Sequence, residues 1–187
     1  MRDNQSSSKS SSQPFDQGLV EIFTGDGKGK TTAALGVALR ALGDNLRVHI
    51  IYFMKGNYPY REQQALAQLP NISFSTFGQD YFVDSANVKP EEKEEARRGL
   101  EKAREAIHSG NYDMVILDEI NVAVGWKLLE VDEVLDLIKN KPKKVELILT
   151  GRYADPKLIE SADLVTEMVK IKHPFDRGIK ARKGIEY

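Results

Sequence analysis

Between Leu19 and Leu35 the chain passes from an apolar, β-branched run, Leu19–Thr24, into Gly25-Asp26-Gly27-Lys28-Gly29-Lys30-Thr31-Thr32 and then into the helix-forming Ala33-Ala34-Leu35. No other stretch limits the fold as tightly. Strand, glycine-rich turn and helix in immediate succession turn backbone N–H groups inward at a helix N-terminus, whose dipole favours an anion. Lys30 can reach phosphate oxygens there, and Thr31 can bind magnesium. The stretch reads as a polyphosphate cradle, with Gly25, Asp26, Gly27, Lys28, Gly29, Lys30, Thr31 and Thr32 as candidate nucleotide-binding residues. The usual spacing, glycine, four residues, then Gly-Lys-Ser/Thr, would require a glycine where Thr24 stands. Gly25 leaves only three residues before Gly29, so the start of the loop is altered while Gly29-Lys30-Thr31 is intact.

Downstream, Val48–Met54, Ile72–Phe74, Met114–Leu117 and Val145–Thr150 are further strand-like runs, too short and too β-branched for helices. Several are apolar throughout, as in strands of a parallel sheet covered on both faces. Helical segments alternate with them. From Pro90 to His108, proline suits the first turn, Glu91 and Glu92 favour the dipole, and Ala96, Leu100, Ala103 and Ile107 form one apolar stripe. Glu94 and Arg98 lie four apart on the solvated side, so this charge-rich segment reads as an exposed helix face rather than a binding surface. The fold class is therefore α/β, a doubly wound, mostly parallel sheet of the P-loop NTPase-like type, in a single domain over residues 19–187.

The composition fits one such domain. The chain has 187 residues, 41% hydrophobic and 29% charged, with 27 Lys+Arg against 28 Asp+Glu. It contains no cysteine, which excludes disulfides, thiolate metal sites and cysteine nucleophiles and fits a reducing, cytoplasmic location. Near-zero net charge argues against general nucleic-acid affinity, and no run approaches the ~18 apolar residues of a membrane helix. Residues 1–18 carry six serines and read as a disordered tail, without the apolar centre of a secretory signal.

The second chemical signal is Met114-Val115-Ile116-Leu117-Asp118-Glu119, an apolar strand ending in two acids. Strand ends of a parallel sheet open onto the ligand crevice, where Asp118 or Glu119 can hold magnesium opposite Thr31. Cradle and metal do not choose a reaction. A small-molecule kinase would need an acceptor site and a base, and a nucleotide-dependent switch or carrier would bind without turnover. A third arrangement presents the nucleoside end to a nucleophile, with triphosphate as leaving group.

Thr24 to Ala34, Lys55-Gly56, Leu117-Asp118-Glu119, Thr150-Gly151-Arg152 and the closing Lys172-His173-Pro174-Phe175-Asp176 through Gly184-Ile185-Glu186-Tyr187 resemble the P-loop type of ATP:corrinoid adenosyltransferase. The resemblance runs from Leu19 to Tyr187. It implies that the Co(I) centre of a corrinoid attacks the 5′ carbon of ATP and expels triphosphate, in adenosylcobalamin synthesis or salvage. It also implies Mg2+, an electron donor that reduces cobalt, and a homodimer. A nucleophile supplied by the substrate fits a sequence in which no Ser, Cys or His stands out as activated. Charge on the departing triphosphate would be met by the loop, Lys30 and Arg152, the candidate catalytic pair, and by magnesium at Thr31 with Asp118 or Glu119. Arg40 joins the nucleotide-binding set, although the helix C-terminal dipole would also attract it there. The resemblance carries Tyr81 and Phe82, in the aromatic stretch Phe74–Val83, to the lower corrin face. The run Lys170–Lys183, six Lys/Arg against one Asp, reads as a folded lid over triphosphate and corrin amides.

Overall fold

The computed structural model describes residues 16–56 and 61–185. Most of the predicted tail, together with Glu186 and Tyr187, lies outside them. Six strands form one sheet: β1 (Val20–Thr24), β2 (Val48–Tyr52), β3 (Ile72–Thr76), β4 (Met114–Asp118), β5 (Glu146–Thr150) and β6 (Leu164–Glu167). Their order is β3-β2-β4-β5-β1-β6, and every pairing is parallel. Helices α1 (Lys30–Gly43) and α2 (Arg61–Leu66) cover one face. The helices α3 (Pro90–His108), α4 (Ile120–Gly125), α5 (Val131–Lys139) and α6 (Pro156–Ser161) cover the other.

Burial follows from this arrangement. Every residue of β2, β4 and β5 is buried, as central strands between two helical layers must be. On one side Ala34, Ala38 and Ala41 of α1 let the helix lie close over Ile50, Ile116 and Ile148. On the other, Ala96, Leu100, Ala103 and Ile107 of α3 pack with Ile51, Val115 and Leu117, so the predicted stripe is the buried face. Glu94 and Arg98 are both exposed, as the solvated face of this helix requires, and Arg98 pairs with Glu95, three residues before it. Glu92 is also buried, its carboxylate accepting the Lys89 amide at 2.7 Å to close the first turn of α3.

β6 was not foreseen. All four of its residues are exposed on the sheet edge, so it lacks the apolar signature of the covered strands. Among the described residues no helix is long and apolar enough to cross a membrane. At the foot of the sheet the chain enters β1 through Gly18, whose amide donates to the Lys143 carbonyl at 2.8 Å. A Cβ on Gly18 would lie 2.3 Å from the Val145 carbonyl carbon and oxygen, so only glycine fits this approach.

Candidate active site

The loop Gly25–Gly29 joins the top of β1 to α1, where the strand carboxyl ends open to solvent. Thr24 is the last residue of β1. Its amide plane belongs to the sheet, its carbonyl accepting the Met168 amide at 2.8 Å, so the turn starts one residue later than in the common pattern. Gly25 makes that turn, with φ of 96°. The chain after β6 lies directly on the loop: the Gly27 amide donates to the Met168 carbonyl at 2.6 Å. A Cβ at either Gly25 or Gly27 would stand 2.6 Å from that carbonyl oxygen. These glycines thus admit the C-terminal segment as well as shaping the cradle.

Lys30 is buried at the first position of α1 and folds back over the loop, its ammonium donating to the carbonyls of Gly25 at 2.8 Å and Gly27 at 2.6 Å. Burial lowers its pKa, Glu119 opposes the shift and Arg152 adds to it. Thr31, one residue on, donates its hydroxyl to Asp118 Oδ1 at 2.8 Å.

The two acids at the end of β4 have different positions. Asp118 is buried and surrounded by donors: Thr31 and Thr150, the latter at 2.7 Å, reach Oδ1, and Lys55 Nζ reaches Oδ2 at 2.5 Å. Glu119 follows with φ of 66°, a left-handed conformation uncommon for this residue, and its side chain lines the crevice. Its amide donates to the Thr150 hydroxyl oxygen at 3.1 Å, so one threonine on β5 serves both acids. Burial raises the Glu119 pKa, Asp118 raises it further, and Lys55, Lys30 and Arg152 pull it down.

Of these residues Lys30, Lys55 and Glu119 border a crevice of about 510 Å³. Gly27, Lys28, Lys30, Glu119 and Arg152 are its polar wall, and Phe53, Met54, Val83, Val122, Trp126 and Tyr153 its apolar one. Phe82 stands on its rim, 98% exposed, rather than anchored in the core. Tyr81 does not line the crevice; its ring meets the Lys89 ammonium at 4.6 Å. Asp26 and Thr32 are exposed beside the loop, outside the crevice lining. Arg40 is exposed in the last turn of α1, ten residues beyond Lys30 and so about 15 Å along the helix, apart from the cradle. His173 lines the crevice, and its Nδ1 accepts the Phe175 amide at 3.2 Å.

Lys55 and Thr150 carry much of this geometry. Neither was singled out by residue chemistry, since a lysine after a strand and a threonine ending one are ordinary; only the short motifs containing them pointed here. Among the described residues no group of three or more His, Cys, Asp or Glu could hold a metal. What the chain offers is one hydroxyl and two adjacent carboxylates, Asp118 buried and Glu119 half-buried at the crevice wall, beside a phosphate cradle. That donor set fits Mg2+, which characteristically takes one or two carboxylates and completes its shell with phosphates and water.

Residues 16–187 match the family model described as ATP:corrinoid adenosyltransferase BtuR/CobO/CobP. The corrinoid adenosyltransferase of Escherichia coli K12 is 34% identical over 172 residues, spanning 92% of this chain and 87% of that protein. A corrinoid adenosyltransferase from a Sinorhizobium species is 37% identical over 175 residues, spanning 92% and 81%. Among solved structures, the flagellar accessory protein FlaH of Methanocaldococcus jannaschii superposes with a TM-score of 0.56 at 16% identity, covering 81% of this chain and 71% of its own; this likeness concerns the fold.

Proposed function

The chain belongs to the ATP:corrinoid adenosyltransferase family, and from that premise we propose how its residues divide the work of the reaction. The enzyme transfers the adenosyl group of ATP to a corrinoid in cobalamin synthesis. In our reading cobalt, as Co(I), supplies the electron pair that forms the cobalt–carbon bond at C5′, and the C5′–O bond breaks to release triphosphate.

The observation that carries the assignment is the position of the loop cations beside an apolar-walled crevice. The loop amides and Lys30 hold the triphosphate and stabilise the charge that grows on it as it leaves. Lys30 now satisfies the Gly25 and Gly27 carbonyls, so it would exchange them for phosphate oxygens when nucleotide binds. Arg152, exposed at the crevice wall, adds a second cation to the leaving group. Gly25, Asp26, Gly27, Lys28, Gly29, Thr31 and Thr32 complete the cradle.

Thr31 and Glu119 would hold Mg2+, with Asp118 orienting the Thr31 hydroxyl. Bound there, magnesium supplies charge neutralisation to the triphosphate. The mostly apolar wall excludes water from the reacting carbon. Phe82 is the aromatic assigned to the corrin face, while Tyr81 and Arg40 have no place in the crevice and would contribute only from its surroundings. The same reading carries a cytoplasmic location, a homodimer and a separate electron donor for cobalt.

An anaerobic assay with Mg-ATP and Co(I) cobalamin tests it. The visible spectrum should turn to that of an alkyl-cobalt product as triphosphate accumulates. ADP as the phosphate product, or an unchanged corrinoid, would return the protein to the kinase or carrier readings.

A further inference from the structure

The phosphate loop has a second open side. After Met168 the chain folds over Gly25 and Gly27, and residues 169–182 then enclose a cavity of about 460 Å³ beside the loop. Gly27, Lys28 and His173 border both this cavity and the crevice, so the two meet at the loop.

The lining is strongly cationic. Lys28, Lys170, Lys172, Lys180 and Arg182 all border it, with no acidic residue among the described residues of the lining. The one acid in residues 169–185 is Asp176, which pairs with Lys170 at 3.0 Å. His173 adds a donor: its Nδ1 accepts the Phe175 amide, so the neutral ring carries its proton on Nε2. Cations gathered around one cavity repel one another, and an anion of several charges relieves that repulsion. A cavity of about 460 Å³ has room for more than one phosphoryl group, and its shared wall is the stretch of loop on which a polyphosphate would lie.

We infer that this cavity is the subsite for the terminal phosphoryl groups of the nucleotide, with Lys172 and Lys180 as determinants of triphosphate over diphosphate. The inference rests on the reading that the triphosphate is seated on the loop with the adenosyl end in the larger crevice. It makes the C-terminal segment a gauge of polyphosphate length.

Calorimetric titration tests this in Mg2+ buffer with five probes: ATP, ADP, inorganic triphosphate, pyrophosphate and orthophosphate. Lys172→Gln/Lys180→Gln should weaken ATP and triphosphate about tenfold or more while changing ADP and pyrophosphate less than twofold. Arg177→Gln/Lys183→Gln removes the same charge from the same segment outside the lining and should leave all five within twofold. Equal losses on every probe, no loss on any, or the same loss in both variants would overturn the inference. So would a loss confined to cobalamin relative to cobinamide in a parallel titration, which would give the cavity to the corrinoid's phosphodiester. Absence of adenosyl transfer by the unmodified protein would instead defeat the underlying reading, and the binding series distinguishes the two because it needs no turnover.

Discussion

Thr150 gives its proton to Asp118 and its oxygen to the Glu119 amide, so one hydroxyl fixes both carboxylates at the head of β4. Thr150→Val keeps the shape and removes both bonds. It should cost about 1–3 kcal/mol in thermal unfolding, because the buried acceptor loses a donor. It should also lower kcat about tenfold, with Thr150→Ser restoring both; a silent valine variant would mean that Lys55 and Thr31 suffice. Glu119 permits a separate experiment. Glu119→Gln should weaken ATP binding in Mg2+ by about tenfold yet leave binding without the metal unchanged or tighter, since a negative charge beside the triphosphate is gone. Equal weakening in both buffers would remove Glu119 from the metal site. The sequence showed the two acids and their position at a strand end, but their division of labour depends on the positive φ of Glu119 and on where β5 places a threonine. Neither is written in local pattern. Phe82 and Tyr81, adjacent in an aromatic stretch, likewise separate only when the chain path turns one toward the crevice and the other toward Lys89.

Elements whose residues state their own environment were legible before the fold was known. α3 begins and ends where Pro90 and the apolar stripe require, and the five covered strands lie within or close to the predicted runs. β6 escaped because an exposed edge strand needs no apolar run, and the six-residue helices α2, α4 and α6 are too short to display a helical period. β1 and β5 contain a contact with a pH signature. Glu146 is buried where its carboxylate accepts the Leu19 amide at 2.7 Å, and burial together with neighbouring Glu21 raises its pKa from 4.5 to about 7. A raised carboxyl pKa favours the protonated folded state. Its contribution is therefore fully present below pH 4.5 and is lost as pH climbs to about 7. His49, buried against Tyr112 and the Ser73 and Ser75 hydroxyls, has its pKa lowered to about 4 and works in the opposite direction. Comparing Glu146→Gln with the unmodified protein isolates the first effect. The variant should match it at pH 4 and gain on the order of 1 kcal/mol at pH 8, a rise in Tm of roughly 2–4 °C. A Tm difference independent of pH would exclude the carboxyl pair as its source.

At the scale of the molecule, the sheet and the C-terminal segment are two unequal partners. Among the described residues neither core cluster includes one beyond Met168, and residues 172–185 are exposed or half-buried. Removing Lys172–Tyr187 should leave a folded domain whose Tm moves by only a few degrees, yet reduce adenosyl transfer at least a hundredfold, about 2.7 kcal/mol of transition-state stabilisation. Circular dichroism and the corrinoid assay together check this, and near-normal turnover by the shortened chain would sink the proposed lid. The close packing at Gly18 governs a different matter. Because the chain enters there, at the foot of β1, a five-residue strand of about 17 Å separates that point from the phosphate loop. An affinity handle or fusion partner joined upstream of Gly18 therefore departs from the base of the sheet, whereas one joined after Ile185 starts beside Lys28, which holds the Ile185 carbonyl at 3.1 Å. Immobilising the enzyme on an electrode or sensor chip by a link made at Gly18 itself would set the attachment at the end of β1 opposite the phosphate loop.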